Sequence, residues 1–158
     1  MKKINYLALG ISIAIAELTG LLSALVSGSM SDSYNNFVQP PLSPPAIIFP
    51  VAWVILYALM GAAAYFVWDS IRGSSYERSI ALRYYAAQLL VNFSWSIFFF
   101  RFKAFWFAVA VIVLLDLLVL ITTLKFKKIN RLSYWLMLPY LAWLIFATYL
   151  NIGVAVLN

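Results

Sequence analysis

The chain has 158 residues, 65% of them hydrophobic and 10% charged, with a net charge of +6 and neither cysteine nor histidine. So much apolar surface excludes a soluble domain of this size and places the chain in the membrane class. Without His and Cys there is no disulfide framework, no His/Cys metal site and no Ser–His or Cys–His catalysis, and a haem iron would find only Met or Tyr.

A helical span needs about 20 mostly apolar residues to cross a hydrocarbon core of about 30 Å. Five such runs nearly exhaust the sequence, at 4–28, 46–69, 80–100, 104–126 and 132–156. They are continuous and long, without ten-residue alternation, so they predict helices rather than barrel strands. The expected fold is an all-α membrane protein, a bundle of five transmembrane helices forming one domain over 1–158.

The first run follows Met1-Lys2-Lys3 like a signal peptide. It is too long for a typical signal core and Glu17 interrupts it, which predicts a retained helix. Ala16, Gly20, Ala24 and Gly28 recur every four residues, a small-residue stripe for close helix approach, within one chain or between two. The connection 29–45 is the longest. Its second half, Pro40-Pro41-Leu42-Ser43-Pro44-Pro45, should be stiff and extended. It reads either as a helix-entry linker or as a lid over a pocket that opens outward. Pro44 and Pro45 suit a helix start, where missing amide donors cost little. The second run opens with Phe49, Trp53 and Tyr57, and a rise of 1.5 Å per residue puts Trp53 about 10 Å below the surface.

In the third run Gln88, Asn92, Trp95 and Phe99 share one helical stripe. The fifth carries Leu138-Pro139-Tyr140-Leu141-Ala142-Trp143, with Tyr140, Trp143, Ala147 and Asn151 at nearly the same spacing. Amides inside a bilayer need partners, so both stripes should face other helices or a cavity. Trp95 and Trp143 lie deeper than an aromatic belt, which favours a pocket. Two carboxylates, Glu17 and Asp116, fall within spans. Such acids are functional candidates by default; the alternative is a protonated acid bonded between helices.

Charge sets the orientation. Lys2, Lys3, Arg72, Arg78, Arg83, Lys125, Lys127, Lys128 and Arg131 fall on one side, and only Arg101 and Lys103 on the other. The positive-inside rule makes the first side cytoplasmic, with the N-terminus inside and the 29–45 loop and C-terminus outside. That pattern explains the basic charge without a nucleic-acid partner.

The proline segment running into Phe49, Trp53 and Tyr57, the Gln88/Asn92/Trp95 helix with Phe98 to Phe100, and the Leu138 to Trp143 run resemble, in order and spacing, the translocator protein family. Its members are also called tryptophan-rich sensory proteins (TSPO) or peripheral-type benzodiazepine receptors. The resemblance covers essentially the whole chain and implies a bacterial member in the plasma membrane. It implies a five-helix bundle, commonly a homodimer, with a pocket under the first loop that takes porphyrins or synthetic aromatic molecules. Several bacterial members are linked to light-dependent breakdown of protoporphyrin IX. Carried onto this sequence, the resemblance makes Trp53 and Trp143 the ring contacts and the candidate photo-oxidisable residues. Pro44, Pro45, Phe49, Tyr57, Gln88, Asn92, Trp95, Ala142, Phe146 and Ala147 would complete the site. No resident cofactor or metal is implied, the porphyrin being ligand or substrate. No basic residue follows Tyr149, so the sterol motif of animal members is missing. The other readings are a transporter of amphipathic small molecules, though no inverted repeat is seen, and a ligand-responsive stress-signalling protein.

Overall fold

The computed structural model describes residues 4–158. It is all-helical: α1 (Tyr6–Ser27), α2 (Met30–Asn36), α3 (Ile48–Trp68), α4 (Ser75–Ser96), a π-helical turn (Ile97–Arg101), α5 (Phe105–Ile129) and α6 (Arg131–Leu157). Four helices, α1, α3, α5 and α6, are long and apolar enough to cross a membrane. The expected span 80–100 falls on α4 and the π-turn. This helix is as long as α1, at 22 residues, but Glu77, Arg78, Arg83, Gln88, Asn92 and four serines lower its hydropathy. Its amides are hidden by neighbouring helices, Gln88 and Asn92 being fully buried.

Local chemistry sets the helix ends. Asn5 caps α1, its side chain accepting from the Ala8 amide at 3.1 Å. Ser74 and Glu77 form a reciprocal capping box that starts α4 at Ser75, five residues before the expected 80. Asn130 alone joins α5 to α6. Its side-chain oxygen accepts from the amides of Leu132 and Ser133, and its amide donates to the Phe66 carbonyl at 3.2 Å.

The long helices neighbour one another in the order α1, α3, α6, α5, α4, with α4 returning to α1. The α1–α3 crossing is close because Gly61 has no side chain. A Cβ there would lie 2.5 Å from the Ile13 Cα and 2.8 Å from the Ser12 carbonyl oxygen. The Ser12 hydroxyl donates to the Gly61 carbonyl at 2.7 Å. Gly20 likewise makes room for the Tyr57 ring. The small stripe of α1 is thus used within the chain at fully buried Ala16 and at Gly20.

The connection 29–45 is not all extended. Its first half forms α2, whose Tyr34 is buried, and Phe37 just beyond it packs edge-on against Phe99 and Phe105. The proline half is stitched to α6. Pro40 sits on Gly153, where a Cβ would lie 2.5 Å from the proline Cβ. The Tyr149 hydroxyl donates to the Pro41 carbonyl at 2.8 Å, and the Asn158 amide bonds both backbone groups of Val38 at 2.9 and 3.0 Å. Arg72, Arg78, Lys127, Lys128 and Arg131 gather at the opposite end, where Asn5 meets Tyr65 and Asn130 meets Phe66. Lys2 and Lys3 lie outside the described residues, and Arg83 stands two turns inside α4 rather than in a loop.

Candidate ligand cavity

A cavity of about 640 Å³ lies between α1, α3 and the end of α4, beneath α2. Small-molecule sites commonly have this size. From α1 it is lined by Glu17, Gly20, Ser23 and Ala24, and from the roof by Ser29, Ser31 and Tyr34. Phe49, Trp53 and Tyr57 come from α3, and Asn92, Trp95, Ser96 and Phe100 from α4 and its π-turn.

Trp53 is at the centre of the aromatic wall. Its ring lies 5.6 Å from Tyr57, 6.4 Å from Trp95 and 6.2 Å from Tyr140. Trp95 stacks on Phe99 at 5.5 Å. Behind this wall runs a buried polar network. The Tyr57 hydroxyl donates to the Asn92 oxygen at 3.2 Å, the Asn92 amide donates to the Tyr140 hydroxyl at 2.8 Å, and that hydroxyl donates to the Gln88 oxygen at 3.0 Å. The Trp95 indole N–H donates to the Asn151 oxygen at 2.8 Å. Each orphaned group here would face an apolar interior, so the chain of bonds fixes the ring positions.

Five of the residues expected at a site therefore line one cavity: Phe49, Trp53, Tyr57, Asn92 and Trp95. Seven do not. Gln88 is one turn deeper and is consumed by the network, its amide directed at the Met60 sulfur at 3.7 Å. Pro44 and Pro45 stand behind the roof, where the Pro44 carbonyl accepts from the Tyr34 hydroxyl at 2.8 Å. None of the four α6 residues is on this wall. Trp143 meets Phe49 edge-on at 5.9 Å and Phe146 at 5.8 Å, Ala147 is buried in the core, and Ala142 is exposed. Trp53 thus lines this cavity and Trp143 does not, although Trp143 touches the Phe49 ring that does. The Trp143 indole N–H is buried with no hydrogen-bond partner among the described residues.

Sequence reasoning missed Tyr34, Ser23, Ser96 and the glycine at 20 as wall residues. Tyr34 was hidden because α2 read as loop, although the Ser29–Asp32 pairing is a helix-start signal and Tyr34 and Phe37 have helical spacing. Burial under the proline segment pushes the Tyr34 phenol above its ordinary pKa, with the Ser43 hydroxyl opposing. It stays a protonated donor at neutral pH. Ser23 ties α1 to α4 by donating to the Phe93 carbonyl at 3.2 Å. The two membrane acids diverge: Asp116 accepts from the Thr148 hydroxyl at 2.8 Å, an α5–α6 bond, whereas Glu17 is on the cavity wall. Among the described residues no group of three or more acidic side chains could hold a metal ion.

A wall of indole, phenol and phenyl rings with one amide and several hydroxyls suits a flat apolar ligand with a few polar edges. The TspO/MBR family profile matches residues 11–157. The chain is 32% identical over 128 residues to the "Tryptophan-rich protein TspO" of Chlorobaculum tepidum, covering 79% of this chain and 78% of that one. It is 31% identical over 155 residues to the protein of the same name from Archaeoglobus fulgidus, covering 98% and 99%. It is 39% identical over 126 residues to "Translocator protein 2" of Canis lupus familiaris, covering 78% and 73%. Four apolar spans, a helix that buries its amides against them and these likenesses lead to one statement: the chain belongs to the TspO/MBR family and is an integral membrane protein.

Proposed function

We propose that this protein binds a porphyrin such as protoporphyrin IX, or a synthetic aromatic molecule of similar shape, and that the bound porphyrin is degraded in light. The observation that carries the reading is Trp53, set among Tyr57, Trp95 and Tyr140 on the wall of a cavity of about 640 Å³. A flat macrocycle stacks on such rings, each contributing about 0.5–1.5 kcal/mol beyond burial. The carboxylate edge of a porphyrin would remain at the outer mouth, near Arg101, whose guanidinium donates to the Val26 carbonyl at 2.9 Å. The excited porphyrin supplies the hard chemistry, and the protein orients it and offers an oxidisable indole. Trp53 is better placed for that role than Trp143, because it lines the cavity whereas Trp143 touches the lining at Phe49. In this reading α4 is the fifth span, the 29–45 segment and Asn158 lie outside a bacterial plasma membrane, and two copies associate.

The test is a titration of purified protein with protoporphyrin IX, in darkness and then under illumination, following Trp fluorescence and the porphyrin band. Trp53→Phe should weaken binding modestly and slow light-driven loss strongly, because a phenyl ring is far harder to oxidise than an indole. Trp68→Phe, on an exposed surface, should do neither. Unchanged photochemistry in Trp53→Phe leaves a binding protein only, and no quenching in the dark removes the porphyrin reading altogether.

A further inference from the structure

The cavity wall carries one carboxylate and no compensating cation. Glu17 lines it from α1, no Lys or Arg does, and among the described residues no hydrogen bond reaches the Glu17 carboxylate. Asp116, the other membrane acid, belongs to a different place in the bundle and has Thr148 as a donor. Glu17 lies ten residues before the end of α1, about 15 Å along the axis. A carboxylate at that depth is costly to keep without a partner. Facing the same space are the rings of Trp53, Tyr57, Trp95 and Phe49. Aromatic faces attract organic cations through their quadrupole, and an aromatic cage is the usual recognition device for quaternary ammonium groups. A carboxylate and an aromatic cage in one cavity select the same sign of charge.

We propose that Glu17 makes this cavity a site for organic cations, an ammonium group on an apolar aromatic body, with Glu17 the residue that sets the preference. The ammonium sits between the Glu17 carboxylate and the Trp53 and Tyr57 rings, and the apolar body fills the remaining space towards the roof. The site discriminates against a ligand that must place an anion at the depth of Glu17. The proposal rests on the cavity and its charge and not on the porphyrin reading.

The experiment uses the full chain in maltoside micelles and two nearly isosteric probes, naphthalen-2-ylmethyl-trimethylammonium and 2-neopentylnaphthalene. These differ by a permanent charge in place of a carbon atom. Trp fluorescence and calorimetry report binding. The wild type should bind the ammonium about tenfold more tightly than the neutral probe. Glu17→Gln should abolish that ratio while leaving neutral-probe affinity within about twofold. Glu17→Asp, which keeps the charge, should retain most of the ratio and guards against a folding defect. Displacement by dodecylphosphocholine would assign the ammonium to a lipid headgroup, and lack of displacement to a free amphiphile; the class of ligand is the same in both. Equal affinity for the two probes in the wild type, an unaltered ratio in Glu17→Gln, or no binding of either probe overturns the proposal. None of these outcomes depends on whether protoporphyrin IX binds.

Discussion

Adding a single methyl group at Gly61 tests the α1–α3 crossing directly. The Cβ of Gly61→Ala would meet the Ile13 Cα at 2.5 Å, the Ser12 oxygen at 2.8 Å and the Ile13 nitrogen at 3.0 Å. All three are backbone atoms, so no side chain can rotate aside. The helices must part by about 1 Å for ordinary van der Waals contact. That separation stretches the bond from the Ser12 hydroxyl to the Gly61 carbonyl. Overpacking costs about 1–3 kcal/mol and the bond about 1 kcal/mol, offset by about 0.5–1 kcal/mol from replacing a helical glycine. The net loss is about 1–3 kcal/mol. At 2–4 °C per kcal/mol for a chain of this length, Tm should fall by about 3–10 °C. Gly10→Ala is the control, since nothing lies within 4 Å of its Cβ and the same helix-propensity gain applies. Thermal unfolding in detergent, followed by Trp emission, compares the two. A Gly61→Ala protein that melts with Gly10→Ala would refute the crossing, and with it the placement of Glu17 beside the cavity.

Asn92→Leu strands the Tyr57 hydroxyl and should cost about 1–2 kcal/mol. Pairing it with Tyr57→Phe should recover about 0.6–1.7 kcal/mol, measured as the coupling in a double-mutant cycle. At the exposed start of α4 the Ser74 backbone and hydroxyl hold the Glu77 carboxyl below its ordinary pKa. A depressed carboxyl contributes stability above its unfolded pKa and loses it as pH falls through the folded one. Amide protection of the first turn of α4 should therefore decline on acidification, and Glu77→Gln should flatten that dependence. Orientation can be read on a cysteine-free background. Cysteines at exposed Asn36 and Ser75 should differ in intact cells, with only Asn36→Cys reacting with an impermeant reagent; labelling of Ser75→Cys alone reverses the assignment.

Four of the five expected spans and the Trp53/Tyr57 face were legible because apolar length and helical spacing are local properties. The Gln88–Asn92–Trp95 stripe was legible as inward-facing for the same reason. Which of its members meets a cavity was not, because that depends on where α6 delivers Tyr140 and Asn151. Gln88 is used up in bonds while Asn92, one turn on, is both bonded and on the wall. The separation of Trp53 from Trp143 was equally hidden. Trp53 lines the cavity itself, whereas Trp143 meets it edge-on at Phe49. Glu17 was visible as an anomaly, and only the packing of Tyr57 on Gly20 shows which space it overlooks.

The stitching of the proline segment to α6 has a consequence for biogenesis. Val38 and Asn158 are 120 positions apart in sequence, and Tyr149 lies 108 positions from Pro41. Such long-range closures come late, since chain entropy must be lost before the contacts reward it. Until α6 is made, the proline segment behind the α2 roof lacks its bonds to Tyr149 and Asn158. The last-made helix thus anchors the earliest loop, and a chain cut short before Tyr149 should keep its first spans while leaving the 38–41 segment unanchored.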